Sequence, residues 1–188
     1  MPQPDPLACL VLDYETLGLN DDDPIVEVGA ALTTPNYPWD VIATFSAVVR
    51  PTRERWWEFV SPFVRNMHNE SGLWPLITDG VDVREAEDGL LAVVSDVGPR
   101  ESVLLMGSGV GHFDRRVMAK QMPALHGWLQ HPNVDGGGIR RFLHRAGRGD
   151  LAFTPSVDRV KHRALPDALD HLEELRFYAE LVRSLPKR

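Results

Sequence analysis

Residues 7–15 read Leu7-Ala8-Cys9-Leu10-Val11-Leu12-Asp13-Tyr14-Glu15, and this stretch decides the fold. Its apolar part is short and continuous, as a central β-strand buried on both faces would be. Two carboxylates follow, two positions apart, so on an extended chain they point to the same side. In open α/β sheets, ligands gather where a strand emerges from the sheet. The stretch therefore predicts a central strand with an acidic pair at its end.

The acidic pair, Asp13 and Glu15, allows two interpretations. Neighbouring carboxylates repel one another unless they are protonated or share a cation, so a divalent metal ion is a natural partner. An acidic pair at a strand end is also a common solvated turn. The pair alone does not decide between a metal site and a turn.

Outward from this run, the hydrophobic pattern predicts further strands and helices. The segment 53–69 is aromatic-rich and is expected to be irregular helix at best, because Pro62 interrupts it. The order of elements predicts an α/β fold in one domain over residues 1–188, with helices packed against a sheet. The strands are expected at Ile25–Leu32, Val41–Val49, Val103–Met106 and His131–Asp135, and the helices at Val83–Val97, Phe113–Gln121, Gly138–Ala146 and Leu165–Ser184.

Composition narrows the class of function. The chain has 27 acidic and 20 basic residues, a formal net charge of −7, which excludes a protein that coats duplex nucleic acid through a basic surface. Cys9 is the single cysteine, so no intrachain disulfide forms and a reducing compartment is expected. No basic-then-apolar leader and no membrane-spanning run is present, which predicts a soluble, cytoplasmic protein with no membrane partner.

Two later motifs add charged groups that a sheet edge could bring together. Asp114 follows a glycine-rich stretch and begins a predicted helix, where an aspartate is also favoured by the helix dipole alone. His162 precedes Asp167 by five positions at the start of the last helix, and Pro166 suits the first turn of that helix. Each motif alone is weak, whereas the three together form a pattern.

That pattern resembles the DEDDh, or DnaQ-like, family of 3′-to-5′ exonucleases, and the resemblance covers residues 7–183. Leu12–Leu19 is similar to the first motif of the family, Phe113–Arg116 to the second and His162–Asp167 to the third in its histidine form. The sister group has a tyrosine one position later, where this chain has Arg163. The resemblance implies an RNase H-like fold, in which helices flank a central mixed five-stranded sheet.

Within the family the chain is most similar to the oligoribonucleases. The segment 67–73, Met-His-Asn-Glu-Ser-Gly-Leu, resembles an internal segment distinctive of that group. Residues 113–125, the Val134-Asp135 pair before a helix and the segment 173–178 resemble the group as well.

The resemblance also implies a mechanism with two divalent cations, Mg²⁺ or Mn²⁺. Asp13 would bridge both ions, Glu15 and Asp167 would complete the first site, and Asp114 would help to hold the second. His162 would take a proton from the attacking water and so act as the general base. The products would be nucleoside 5′-monophosphates, released from the 3′ ends of short or single-stranded RNA.

Two apolar residues are expected to bind substrate by the same resemblance. Leu19 matches a wedge between the two terminal bases, and Phe63 matches an aromatic residue that stacks on a base, although both would also serve as packing residues. One departure concerns residues 131–138, which in oligoribonucleases include a serine that caps the 5′ phosphate of a dinucleotide. Here Gly136, Gly137 and Gly138 stand in that stretch, which favours trimming of longer strands.

Two alternative functions stay open at the level of sequence. One is a DNA 3′ exonuclease of the proofreading type, whose third motif is shared. The other is a non-catalytic nucleic-acid-binding module, which the intact set of acids and histidine argues against. Oligomeric state is open too. A homodimer implied by the resemblance would use Trp56, Trp57 and Trp74 as an apolar contact, unless these are core residues.

Overall fold

One mixed sheet organises the described residues, 5–155 and 162–186, of this computed structural model. Its order is β3-β2-β1-β4-β5, with β1 in the centre. β1 pairs antiparallel with β2 and parallel with β4, while β3 continues the antiparallel side and β5 the parallel side. The predicted five-stranded mixed sheet is confirmed. The strands are β1 (Ala8–Thr16), β2 (Ile25–Thr33), β3 (Val41–Val48), β4 (Val103–Gly107) and β5 (Asn133–Asp135).

Helices cover both faces of this sheet. They are α1 (Pro62–Glu70), α2 (Val83–Ser95), α3 (Asp114–Gln121), α4 (Pro123–His126), α5 (Gly136–Arg145) and α6 (Ala164–Arg183). Short 3₁₀ turns lie at Trp56–Phe59, Trp74–Asp79 and Gly149–Leu151. No helix in the described part of the chain is long and apolar enough to cross a membrane.

The segment 53–69 is divided next to Pro62, as expected, but the expectation that it is irregular at best is wrong. Pro62 instead opens α1, where its missing N–H is one that no intrahelical acceptor would have used. The Ser61 hydroxyl accepts the backbone N–H of Val64 at 3.2 Å and so caps the helix. The same residues therefore start an ordered helix that carries Phe63 on its first turn.

The central strand alternates between two cores. Leu10 and Leu12 pack with α2 and the α3–α4 region on one face of the sheet. Cys9 and Val11 pack with Leu172 and other apolar residues of α6 on the opposite face. Burial of each such leucine stabilises the fold by roughly 1.5–3 kcal/mol. β1 is thus a rigid platform fixed from both sides.

The three tryptophans offered as a dimer contact divide between core and surface. Trp56 is buried, and its ring centroid lies 5.1 Å from that of Trp74 in an edge-on arrangement. Trp57 is 44% exposed. Trp56 is therefore a core residue, and only Trp57 among the three presents a large apolar surface.

Candidate active site

Asp13 and Glu15 lie at the end of β1, where the sequence predicted an acidic pair. β1 continues through both residues because its backbone keeps pairing with β2, Asp13 opposite Gly29 and Glu15 opposite Glu27. Alternation places both carboxylates on the face of β1 that Cys9 shares, which is the face covered by α6. The pair is held on a strand, so its geometry is fixed more firmly than a solvated turn would fix it.

Gly29 sets how closely α6 approaches this pair. The start of α6 crosses β2 directly over Gly29, and a Cβ there would collide with the backbone of Ala164 and Leu165. Only glycine permits that approach. Because Gly29 is the cross-strand partner of Asp13, the first turn of α6 comes down beside the acidic pair.

Glu27 anchors the same end of α6. Its buried carboxylate accepts hydrogen bonds from the Arg163 guanidinium at 2.8–3.1 Å and from the backbone N–H of Ala164 at 2.9 Å. A bidentate arginine–carboxylate pair is geometrically specific. Arg163, which the sequence identified only as a departure from the sister group, therefore positions Asp167, the acid at the start of α6.

The structure brings Glu15, His162 and Asp167 together. One candidate ligand atom from each lies within 4.8 Å of the other two. The backbone N–H of His162 donates to Asp167 Oδ2 at 2.9 Å, and His162 itself is exposed at the mouth of the site. The third sequence motif thus meets the first.

Asp114 enters from the opposite side of the strand end, as the first residue of α3. It is only 4% exposed. Its negative charge is among those that raise the pKa of Asp13, so the two carboxylates lie within electrostatic reach of each other. The five residues expected from the sequence therefore converge from β1, α3 and the start of α6.

Buried charge dominates the chemistry of this cluster. Burial raises the pKa of Glu15 to about 8 and that of Asp114 to about 7. The pKa of Asp13 is raised by burial and then by the neighbouring acids, and that of Asp167 is raised chiefly by burial. Such carboxylates become stable as anions when a cation joins them. An all-oxygen set of this kind suits divalent ions such as Mg²⁺ or Mn²⁺, so the residues present fit the metal that the resemblance implies.

Asp13, Glu15 and Asp167 line a cleft of about 760 Å³. Leu19 and Phe63 line it too, and their side chains are 83% and 77% exposed. The interpretation of these two as ordinary packing residues does not agree with such exposure. Phe59, which the sequence did not single out, lines the same cleft and is also exposed.

Two histidines near the acids were not assigned a role from the sequence. His68 is fully buried, with Nε2 3.0 Å from the carbonyl oxygen of Thr16 and Nδ1 3.9 Å from Glu15 Oε2. His171 lines the cleft, with Nδ1 3.9 Å from Asp13 Oδ1, and burial lowers its pKa to about 4. The signal for His171 was its position four residues after Asp167, one helical turn along the same face.

The glycine segment at the start of α5 is held by Asp135. This carboxylate accepts the backbone N–H groups of Gly109, Gly111 and Gly138 at 3.0, 3.1 and 2.8 Å. Close to it, Arg140 pairs with Glu174 at 3.1 Å and Arg141 lies 4.0 Å from Asp135 itself. The two arginines here thus face carboxylates of the protein.

Known proteins are similar to this chain in sequence, and others are similar to it in fold. No family model matches the chain. The oligoribonuclease of Chromobacterium violaceum is 33% identical over 171 residues, covering 90% of this chain and 92% of that protein. The oligoribonuclease of Streptomyces coelicolor is 34% identical over 173 residues, covering 91% and 84%.

Solved structures agree on the fold. Exonuclease I from Methylocaldum szegediense superposes with a TM-score of 0.69 at 16% identity over 94% of this chain. Escherichia coli exonuclease I in complex with a dT13 oligonucleotide superposes with a TM-score of 0.65 at 14% identity over 94% of this chain. The chain spans 41% of each of these structures, and the likeness confirms the expected exonuclease-type fold.

Proposed function

Because the chain belongs to the oligoribonuclease family and is a 3′-to-5′ exonuclease, we propose that it removes nucleotides from the 3′ ends of short or single-stranded RNA with two divalent cations. The unit of activity is one exonuclease domain over residues 1–188, of which residues 7–183 resemble the family. The products are nucleoside 5′-monophosphates.

The carboxylates are proposed to hold the cations. Asp13, Glu15 and Asp167 would hold one ion, and Asp13 and Asp114 would hold the other. The chemistry that such cations supply when bound is acidification of a water and stabilisation of charge on the leaving oxygen. Glu27 and Gly29 serve this arrangement by fixing the start of α6, since both contact residues 163–165 directly.

His162 is proposed as the general base. A histidine side chain accepts and releases a proton near neutral pH, which is what removal of a proton from attacking water requires. Its exposed position at the mouth of the cleft, next to Asp167, lets it reach solvent and substrate together. Its ring also lies close enough to Glu15 and Asp167 to touch whatever those acids hold.

Leu19 and Phe63 are proposed to bind the terminal bases of the substrate. Base stacking on an aromatic ring contributes about 1–3 kcal/mol per base and does not depend on sequence. Both side chains are exposed on the wall of the cleft that holds the acids, so a 3′ end seated at the carboxylates lies within their reach. A homodimer belongs to the proposal, with Trp57 as the exposed apolar contact.

The observation that carries the proposal is that Asp13, Glu15 and Asp167 line one cleft with His162 at its mouth, while the buried Asp114 lies within electrostatic reach of Asp13. Repulsion among these groups disfavours the fold at neutral pH unless a cation is bound. Such a cluster lowers the stability of the folded protein, which is typical of a functional site.

The test is incubation of end-labelled RNA and DNA oligomers, from two to about twenty nucleotides, with Mg²⁺, with Mn²⁺ and with EDTA. Stepwise loss of 5′-monophosphates from the 3′ end, abolished by EDTA and by Asp13→Ala, is expected. Arg100→Ala is the matched control, because Arg100 precedes β4 at the other end of the sheet. Absence of cleavage for every oligomer would overturn the proposal.

A DNA 3′ exonuclease is the second candidate. Its third motif, with His162, Ala164, Leu165 and Asp167, is shared, and the E. coli relative of this fold was solved with a DNA oligonucleotide. The same experiment separates the two candidates, because faster cleavage of the DNA oligomers would favour DNA. Binding of oligomers without any turnover would instead indicate the non-catalytic module.

A further inference from the structure

Asp167 and His171 stand one helical turn apart on α6. Residues four positions apart on a helix lie on the same face, so both side chains project toward one neighbour. That neighbour is the acidic end of β1, since both residues line the same cleft as Asp13 and Glu15. α6 thus presents a carboxylate and an imidazole side by side to the candidate metal centre.

The imidazole of His171 has an unsatisfied nitrogen. Nδ1 is buried and has no hydrogen-bond partner among the described residues, and 19% of the side chain is exposed. Native proteins rarely leave a buried polar atom without a partner, because its lost hydration is not recovered. Among the described residues no protein group satisfies Nδ1, so a ligand from outside the chain would meet this need.

The distance from Nδ1 to Asp13 identifies the kind of partner. The nearest acidic oxygen, Asp13 Oδ1, is 3.9 Å away, which is too long for a hydrogen bond. Two ligands of one divalent ion each lie about 2.0–2.2 Å from it, so the ligand atoms are roughly 3–4 Å apart. The observed separation fits two atoms that share an ion.

We propose that His171 Nδ1 is a nitrogen ligand of the ion held by Asp13, and that it biases the site toward Mn²⁺ and related transition metals over Mg²⁺. This inference rests on the proposed metal-dependent function. Mg²⁺ takes oxygen ligands and keeps several waters, so an imidazole adds little to its binding. Transition-metal ions accept imidazole nitrogen, and their affinity for mixed nitrogen and oxygen sites rises from Mn²⁺ to Co²⁺ and Ni²⁺.

The neighbours of His171 are compatible with this role. Arg140, whose charge reaches His171, is itself engaged by Glu174 at 3.1 Å. Asp135, the other charge near it, is occupied by three backbone N–H groups. Neither group supplies the missing partner of Nδ1, which leaves the nitrogen available on the cleft side.

The direct test is electron spin echo spectroscopy of Mn²⁺ bound to the protein without substrate, which detects ¹⁴N nuclei coupled to the metal. His162 also lies near the acids, so His171→Leu is compared with His162→Leu as a matched substitution. The nitrogen modulation is expected to persist in His162→Leu. In His171→Leu it is expected to disappear, or to decrease to whatever signal the His162 nitrogens contribute.

Metal affinity is the second readout, measured by calorimetry with Mn²⁺ and Mg²⁺ separately. His171→Leu is expected to weaken Mn²⁺ binding about 10-fold or more and Mg²⁺ binding less than about 3-fold. His144→Leu, at an exposed position of α5, is expected to change neither. His171→Asn keeps a polar side chain of smaller size and repeats the test if the leucine variant unfolds.

The outcomes separate the inference from the function on which it rests. Unchanged nitrogen modulation and an unchanged ratio of Mn²⁺ to Mg²⁺ affinity in His171→Leu would overturn the inference and leave the metal site standing. Failure of the wild type to bind either ion would overturn the proposed function itself. Loss of selectivity together with loss of the nitrogen signal would support the role of His171.

Discussion

Asp13 and Asp135 occupy equivalent places in the sheet, near the carboxyl ends of β1 and β5, yet their environments are opposite. Although burial alone would raise the pKa of Asp135, hydrogen bonds from three backbone N–H groups outweigh it and lower the pKa. For Asp13, burial and the neighbouring acids raise the pKa, and no donor offsets them. One carboxylate is satisfied inside the protein, whereas the other needs a partner from outside.

The contrast teaches how to distinguish a structural acid from a working one. Asp135 joins the start of α5 to the loop before α3, so its oxygens are already used. Asp13 lies on the cleft, and Nδ1 of His171 is 3.9 Å from its Oδ1, which is too far for a hydrogen bond. A raised pKa at a buried acid beside other acids is therefore the feature that sets Asp13 apart from Asp135.

The largest effect is expected from removal of charge at these two positions. Asp13→Asn should lower turnover by at least about 10³-fold, because an electrostatic group at the reacting centre is lost. Its melting temperature in EDTA should stay level or rise, because one repelling charge is gone. Asp135→Asn should instead cost about 1–3 kcal/mol of unfolding free energy, since buried N–H groups lose an acceptor. Turnover assays and thermal melts check the pair, and equal destabilisation of both variants would contradict the contrast.

His162→Ala is expected to have the next largest effect. Loss of a general base lowers kcat by about 10²–10⁴-fold. Binding of Mn²⁺, followed by calorimetry, should remain close to that of the wild type, because the carboxylates are untouched. Full turnover in this variant would assign the proton transfer to another group.

Phe63→Ala is expected to weaken substrate binding without changing metal binding. Loss of one stacked base costs about 1–3 kcal/mol, which corresponds to a rise in KM of roughly 5- to 150-fold. Phe142→Ala is the matched control, because Phe142 is an exposed phenylalanine that does not line the cleft. Equal kinetic effects of both substitutions would show that Phe63 does not contact the base.

Stability without metal is expected to fall as the pH rises. The pKa of Glu15 is about 8 in the folded protein against an ordinary 4.5, and that of Asp114 is about 7 against 3.8. Between these limits the unfolded chain has released protons that the folded chain retains, so the free energy of unfolding decreases with pH. From pH 5 to 8 in EDTA the melting temperature should drop by about 5 °C or more, and Mn²⁺ should remove most of the drop. A flat profile in EDTA would mean that the acids are neutralised within the protein.

The sequence was sufficient for the sheet and for naming acids and a histidine that the structure brings together, because both depend on local patterns. The apolar run 7–12 and the spacing of Asp13, Glu15 and Asp167 are visible in one dimension. The contacts that bring α6 onto the sheet are not visible, because Glu27 and Gly29 act on residues more than 130 positions away. The regular helix that begins at Pro62 was missed because it depends on the cap that Ser61 provides.

The smallest effect is expected from removing the 5′ phosphate of a dinucleotide substrate, which would lie near the glycine segment that Asp135 holds. Gly136–Gly138 offers no side chain to a 5′ phosphate, and Arg140 and Arg141 already face Glu174 and Asp135. A dinucleotide with a 5′ phosphate and one without it should therefore differ by less than about threefold in kcat/KM. A phosphate contact that contributed 1.4 kcal/mol would give about a tenfold difference. Longer oligomers should be trimmed at comparable rates, because nothing in this segment recognises the end of a dinucleotide. A preference of tens of fold for the 5′-phosphorylated dinucleotide would mean that Arg140 or Arg141 leaves its carboxylate to bind the phosphate. Asp135 would then change its partners during turnover.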